Sequence, residues 1–357
     1  MAGVVATYAY NTASSQLLLG VSNLSQLNDS QKTATASGVK STTYAGLGSS
    51  RSQAISLQPA ITQIGAWTGN ITTAQNTLST TQTAVQQISS IANDLNDTLA
   101  TLQSNVSADG VATAVSTAKN ALNSLGSLLN TKQGSTYVFS GQDLQTAPVS
   151  DNGNLVNSTL ASNIQSIVAS TGSTSAQDVL ASTLQASADT TAGDPFSASL
   201  STDPETASGQ SVKAIVSQGS PVAIGVVATQ GGAATDVSTG SPIRDLMRNL
   251  MVVASLGSVS AGSNSFNAIV KGLQQTNTSV VTGLSDMAGQ MGVTQNSLTV
   301  QSSALGQMNS MLTDQLGKAK DVDLAQLSVQ MTDTQNQLEA SYSIISKMKG
   351  MTLASYL

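Results

Sequence analysis

Apolar residues recur every three or four positions over long stretches of the chain. The first such stripe consists of Ile71, Leu78, Val85, Ile88, Ala92, Leu95, Leu99 and Leu102. A second one follows after a short polar segment and consists of Val115, Ala118, Leu122, Leu125 and Leu129. This spacing predicts amphipathic helices with a coiled-coil seam. The segment 105–110 between the stripes, with Asp109-Gly110 as the helix breaker, predicts an antiparallel helix pair.

The C-terminal part repeats the pattern in two segments. The first contains Leu284, Met287, Met291, Thr294, Leu298, Gln301, Leu305, Met308 and Leu312. The second contains Leu324, Leu327, Met331, Leu338, Ile345 and Met348. A break at 317–321 separates the two predicted helices. Asp321 is predicted to cap the second helix, because an Asp side chain can accept hydrogen bonds from the free amides of a first turn.

Prolines divide the chain into two helical arms and an insert. Five of the six prolines lie at Pro148, Pro195, Pro204, Pro221 and Pro242, and proline breaks helix interiors. Between them, the β-branched runs 212–216 and 222–227 predict strands. Ser241-Pro242 predicts a helix start, and Pro59 is expected to interrupt the N-terminal arm. The predicted fold is mainly α: an elongated coiled-coil core formed by the N- and C-terminal arms, with a smaller β-containing middle insert.

Composition narrows the range of functions. The chain has no Cys and no His, which excludes thiol nucleophiles, disulfides, Cys/His zinc sites and histidine acid–base catalysis. Its few Asp and Glu are scattered, so we expect neither an enzyme nor a cofactor. The net charge is −6 and no basic patch is present, which argues against nucleic-acid binding. No apolar run approaches the roughly 20 residues that span a membrane, and no Sec signal peptide is visible.

The C-terminal segment resembles the C-terminus of bacterial flagellins and hook-associated junction proteins. The resemblance rests on Asp321-Val-Asp-Leu-Ala, Gln337-Leu-Glu-Ala-Ser-Tyr and the tail Thr352-Leu-Ala-Ser-Tyr-Leu357. The N-terminus is similar to the family's first helix through Tyr10-Asn-Thr-Ala13 and the turn at 36–41. It departs from the family at 42–48, where the usual Asp-Asp is missing. Residues 67–71 look like the start of the family's long core helix.

A third resemblance concerns the segment 130–141 with Tyr137, Phe139 and Gly141, followed by Pro148. It is similar to a segment of hook–filament junction proteins, and Tyr137-Val138-Phe139 is predicted to be a short strand. The resemblance therefore leaves two hypotheses open for the function of the chain within this family. The Ser/Thr/Ala-rich composition favours a filament subunit, whereas the segment at 137–141 favours a junction protein.

The resemblance implies an organisation and a set of contacts. The expected segments are 1–45 and 321–357 as terminal assembly helices, 46–145 and 241–320 as halves of the helical core, and 146–240 as a surface-exposed middle domain. Subunits of the family assemble into a helical homopolymer through their terminal helices. The residues expected to pack between subunits are Leu17, Val21, Leu24, Leu27, Leu324, Leu327, Met331, Leu338, Ile345 and Leu357.

The resemblance also implies partners and a location. The expected partners are copies of the same chain, hook-associated proteins, an export chaperone and the flagellar type III export apparatus. The expected location is the extracellular flagellum, reached without a cleaved Sec signal. Outside this family, a secretion-needle or phage tail protein shares the helical stripes but is not expected to end in this C-terminal pattern.

Overall fold

The computed structural model describes residues 2–191, 193–219 and 221–350, and the side chains within these ranges from residue 15 to residue 348. Helix accounts for 73% of the structure, and the sheets are small, so the predicted mainly α fold is confirmed. The chain forms two compact units. The first unit comprises residues 1–66 and 305–357, and the second comprises residues 67–304. The predicted division at residues 45, 145, 240 and 320 stays a prediction.

Long helices dominate the order of elements. The helices are α1 (Ala2–Ser37), α2 (Arg51–Ser104), α3 (Ala108–Leu129), α4 (Thr159–Ala169), α5 (Ala176–Ala188), α6 (Pro204–Gly209), α7 (Pro242–Ser255), α8 (Asn264–Lys320) and α9 (Leu324–Gly350). Short 3-10 turns lie at Tyr44–Ser50, Leu155–Asn157, Ser170–Gly172 and Leu256–Ser258. Helix α1 has 36 residues, α2 has 54, α8 has 57 and α9 has 27, so most of the helical content belongs to the two arms.

Two antiparallel hairpins make up the sheets. The strands are β1 (Lys132–Gln133) with β2 (Thr136–Tyr137), and β3 (Lys213–Ile215) with β4 (Pro221–Ala223). The predicted strands 212–216 and 222–227 are therefore real but shorter than expected. The predicted strand at 137–139 covers Tyr137 alone, although the Val138 amide still donates to the Thr131 carbonyl oxygen at 3.1 Å. Val138 and Phe139 are both buried.

The first two predicted apolar stripes lie in the core of the second unit. The side chains of α2 from Ile71 to Leu102 in the first stripe are at most 4% exposed, and Leu122, Leu125 and Leu129 of α3 are fully buried. The two helices run antiparallel, as predicted, because Gln87 lies near Ser127 and Thr98 lies near Ala114. Helix α2 also contacts α8, where the side-chain amide of Asn277 donates to the Ala92 carbonyl oxygen at 2.7 Å.

Helix α2 begins earlier than predicted. It starts at Arg51 instead of at 67–71, and Pro59 lies inside it instead of interrupting it. Pro59 is exposed, so its ring projects into solvent. A proline removes one backbone hydrogen bond at a cost of about 3 kcal/mol. Burial of Ala54 and Ile64 on either side of it offsets that cost, and the helix continues.

The break between α2 and α3 also differs from the expectation. Asp109 and Gly110 lie in the first turn of α3 and do not break it. The Ser107 hydroxyl accepts a hydrogen bond from the Gly110 amide at 3.0 Å and so caps the helix. An acidic residue in a first turn is favourable for the helix dipole, which explains why Asp109 is accommodated there.

The middle insert is more helical than predicted, because it contains α4, α5 and α6 beside its hairpin. Both α4 and α5 pack on α7, which also packs on α3. The predicted start of α7 is confirmed: Pro242 is its first residue, and the Ser241 hydroxyl accepts from the Arg244 amide at 3.5 Å. Helix α7 is buried on all sides over Ile243–Val253.

Helix α7 carries buried charges that hold the insert. Arg244 donates to the Asp194 carboxylate at 2.8 Å, and each side chain is 3% exposed. Its guanidinium also lies over the Phe196 ring. Asp245 accepts from the Ser238 hydroxyl and from the Thr239 amide. These contacts tie the loop before α7 and the segment after α5 to one face of the helix.

A second arginine, Arg248, extends this polar face. It donates to the Thr183 hydroxyl at 3.2 Å and to the Leu180 carbonyl oxygen at 3.3 Å. Burial lowers the pKa of Arg248, and the charge of Asp245 acts in the opposite direction. The polar face of α7 therefore packs against the insert, and its apolar face packs against the helical core.

Candidate assembly surface on the terminal helices

The two terminal helices lie side by side in the first unit. Helices α1 and α9 contact each other, and Val39 pairs with Asp321 in an antiparallel bridge. The end of α1 is thus next to the start of α9, so the helices run antiparallel. One apolar stripe of each helix is shielded by the other, which is how two amphipathic helices become stable together.

The inner stripe of α9 keeps a strict spacing of four and three. It consists of Leu327, Met331, Thr334, Leu338, Ser341, Ile345 and Met348. Leu327 is 6% exposed and Leu338 8%, whereas Met331 and Ile345 are half-buried. Four of the predicted assembly residues therefore lie on the face of α9 that is shielded within the chain.

The inner stripe of α1 is less deeply covered. Leu17, Val21 and Leu24 are half-buried, and Gln31 and Ala34 close the stripe at 6% exposure each. Three of the four predicted positions of α1 therefore share one face of the helix with residues that pack inside the unit.

Two further predicted residues are exposed, and one lies outside the described residues. Leu27 is 47% exposed and Leu324 is 53% exposed. Leu357 lies outside the described residues, so its role stays a prediction. The structure thus divides the predicted set into an inner group and an exposed group.

Several exposed apolar side chains of the terminal helices were not predicted. Together with Leu27 and Leu324 they form a group that we call the outer apolar residues: Leu18, Leu19, Leu27, Leu324, Val329, Tyr342 and Ile344. A signal for them is present in the sequence. Three consecutive leucines at 17–19 cannot all point to one side of a helix, because neighbouring residues are about 100° apart.

Charges are sparse around the outer apolar residues. Within the described side chains, the charged residues of α1 are Asp29 and Lys32, and those of α9 are Asp333, Glu339 and Lys347. Asp29 and Lys32 are exposed and 3.7 Å apart, a geometry that contributes little to stability. A surface of this kind favours burial against another apolar surface over solvation.

The start of α9 depends on Asp323 and not on Asp321, so the predicted cap is wrong by two positions. The Asp323 carboxylate accepts from the Ala325 amide at 2.9 Å and from the Gln326 amide at 3.1 Å. Asp321 is engaged in the backbone bridge to Val39, which places it before the first turn.

The described residues offer no arrangement for a metal ion or a membrane span. Within 2–191, 193–219 and 221–350, no group of three or more acidic side chains could hold a metal ion. None of the described helices has the length and apolar content needed to cross a bilayer.

Comparisons with known proteins agree with the C-terminal resemblance. Residues 273–357 match the model of the bacterial flagellin C-terminal helical region. No curated protein matches the sequence. Among solved structures, the chain is similar to one described as a flagellar hook-associated protein from Vibrio parahaemolyticus, with a TM-score of 0.50 and 13% identity. That match covers 75% of this chain and 96% of the other, and at this identity it concerns the fold.

Proposed function

Because residues 273–357 match the model of the bacterial flagellin C-terminal helical region, we propose that the chain is a member of the flagellin and hook-associated family and a subunit of the flagellar filament. In this proposal the chain has a structural role and no catalytic one, and it self-assembles through its terminal helices for motility. The observation that carries the proposal is the surface of the first unit. Helices α1 and α9 shield one stripe on each other and still expose large apolar side chains.

The physical reason for assembly is the burial of the outer apolar residues. Full burial of a leucine- or valine-sized side chain contributes about 1.5–3 kcal/mol. Several such residues per copy, repeated along a polymer, are enough to offset the loss of translational freedom on association. The partner in this contact is a second copy of the chain, because both surfaces that meet are then apolar and poor in charge.

The hook–filament junction protein of the same family is the second candidate. The hairpin of β1 and β2 and the buried Phe139 belong to the segment that resembles junction proteins. A solved structure described as a hook-associated protein shares the fold. Both candidates use the terminal helices in the same way, and they differ in whether the chain elongates or only caps a polymer.

The proposal includes the expected location and partners. The chain would act in the extracellular flagellum, next to hook-associated proteins. It would reach that place by the flagellar type III export apparatus with the help of an export chaperone. The absence of Cys, which avoids disulfide formation on the way, fits this route.

Electron microscopy of the purified chain with short polymer seeds tests the proposal. We expect long filaments from the full chain, and a truncation lacking residues 322–357 should stay monomeric with a folded second unit. Elongation by the truncated chain would refute assembly through the terminal helices. Binding to seed ends without elongation would favour the junction protein over the filament subunit.

A further inference from the structure

Helix α1 ends at a joint that connects it to the α8–α9 junction. Gly38 has a φ of +73°, and its amide donates to the Ala34 carbonyl oxygen at 2.9 Å. This left-handed glycine terminates α1. The next residues pair with the segment between α8 and α9: the Lys40 amide donates to the Lys320 carbonyl oxygen at 2.7 Å, and the Val322 amide donates to the Gly38 carbonyl oxygen at 3.1 Å.

The side chain of Lys40 completes the joint. Its ammonium group donates to the Lys318 carbonyl oxygen at 3.1 Å and to the Ala319 carbonyl oxygen at 3.3 Å. These are carbonyls of the last turn of α8, which have no partner within the helix. A positive charge at a helix C-terminus is also favoured by the helix dipole. A residue almost 280 positions away in sequence therefore caps α8.

The contact forms although α8 already ends in two lysines. Lys318 is exposed, and the Lys320 ammonium lies over the Tyr44 ring, 5.3 Å from its centre. Neither side chain supplies the hydrogen bonds that Lys40 makes. The backbone pairing at residues 38–40 and 320–322 brings the Lys40 ammonium to these carbonyls, and the two sets of bonds hold each other in place.

We infer that Lys40 is a positioning residue for assembly, which sets the register between α1 and α9. This inference rests on the proposed function and deepens it. If the joint shifted by one helical turn, about 5.4 Å, all of α1 would move along α9. The outer apolar residues of the two helices would then no longer form the same surface in every copy. A helical polymer requires that surface to be identical in each subunit.

Substitution of Lys40 tests this role. We expect Lys40→Met to raise the critical concentration for polymerisation about fivefold to thirtyfold, the factor that one or two kcal/mol produces. Lys40→Arg should restore most of the assembly, because it keeps the charge and the donors. The matched control is Lys32→Met, which removes an exposed lysine from α1, eight residues before Lys40, and should change the critical concentration less than twofold. Wild-type assembly by Lys40→Met, or an equal loss in Lys32→Met, would overturn the inference.

A designed disulfide gives an independent readout. Directly paired residues of an antiparallel bridge have Cα atoms about 4.5–5.5 Å apart, which suits a disulfide. Since the chain has no native Cys, Val39→Cys with Asp321→Cys can be oxidised selectively. The oxidised protein should polymerise like its reduced form, and oxidation should rescue assembly in the Lys40→Met background. Blocked assembly after oxidation, or failed rescue, would contradict a joint that stays closed in the polymer.

The two proposals fail in different ways. If the wild-type chain forms no polymer on seeds, the proposed function is wrong. If the wild-type chain polymerises and the Lys40 variants behave like Lys32→Met, the proposed function stands and the positioning role of Lys40 is wrong.

Discussion

At the scale of single residues, the ion pair between Arg244 of α7 and Asp194 offers a direct test of whether buried charges stabilise the packing of the insert on α7. The pair is 2.8 Å apart and both side chains are 3% exposed. Removing one partner of a buried ion pair leaves the other charge without compensation. We therefore expect Arg244→Met to lower the free energy of unfolding of the second unit by about 3–5 kcal/mol, measured by urea denaturation followed by circular dichroism.

Two comparison variants make this measurement specific. Lys119→Met removes an exposed cation from α3 and should change stability by less than about 0.5 kcal/mol. The double variant Arg244→Met with Asp194→Leu should recover part of the loss, since no isolated charge remains buried. An Arg244→Met protein as stable as Lys119→Met would show that the ion pair does not hold the insert.

The cap of α9 illustrates why single residues were harder to predict than stripes. Both Asp321 and Asp323 precede the helix and both have the chemistry of a cap. The choice between them depends on the backbone bridge to Val39, which engages Asp321. That contact joins residues from opposite ends of the chain, so no local pattern indicates it. The role of Lys40 at the same joint is hidden for the same reason.

At the scale of elements, the long helices could be read from the sequence because they repeat one signal many times. The stripes of α2, α3 and α8 are mostly buried as predicted, although Met308 is 46% exposed. The early start of α2 and the helices α4 and α5 were missed. Helix α4 has 11 residues, and its buried Leu160, Ile164 and Val168 offer too short a repeat to stand out in a Ser-rich region. Its stability comes from packing on α7.

Replacement of two helical glycines by alanine is expected to change the stability of the second unit in opposite directions. A Cβ atom on Gly126 of α3 would lie 2.5 Å from the Asn152 carbonyl oxygen and 2.9 Å from Leu155 Cδ1. We expect Gly126→Ala to destabilise the second unit by about 1–3 kcal/mol, because backbone must move. Gly289 of α8 is exposed and has open space around such an atom. Gly289→Ala should stabilise by up to about 1 kcal/mol through helix propensity.

Urea denaturation of the two glycine variants and the wild type, under identical conditions, measures both effects. The pair shares the chemical change, so any difference arises from the surroundings of each position. If Gly126→Ala were neutral or stabilising, the close approach of the 152–155 segment to α3 would be wrong. If Gly289→Ala were destabilising, its open surroundings would be wrong.

At the scale of the whole molecule, the sequence predicted terminal helices with apolar stripes. It did not indicate which apolar residues of these helices are buried within the chain and which remain exposed. Periodicity identifies an apolar face, and it does not say what covers that face. Leu327 and Leu338 were expected between subunits and are buried in the first unit, whereas Leu18 and Val329 are exposed and were not considered. The contact partner of a stripe depends on tertiary packing, which the spacing alone does not contain.

Substitutions at Leu324 and Leu327 can distinguish two roles of the terminal helices: contacts between copies of the chain, and packing of α1 on α9 within one chain. Leu324 is 53% exposed and Leu327 is 6% exposed, one turn apart on α9. We expect Leu324→Asp to leave the stability of the monomer within about 0.5 kcal/mol of the wild type and to abolish polymerisation. Leu327→Asp should instead destabilise the packing of α1 on α9 by several kcal/mol, because it buries an unpaired charge.

The measurements are hydrogen exchange of α1 and α9 in the monomer and seeded filament growth for each variant. Leu324→Met serves as the control that keeps an apolar side chain, and it should polymerise normally. If Leu324→Asp keeps α1 and α9 protected from hydrogen exchange but forms no polymer, the exposed face of α9 makes the contacts between copies. Normal filament growth by Leu324→Asp would remove Leu324 from that interface. Because both substitutions add the same charge to the same helix, any difference between them reflects burial within the chain.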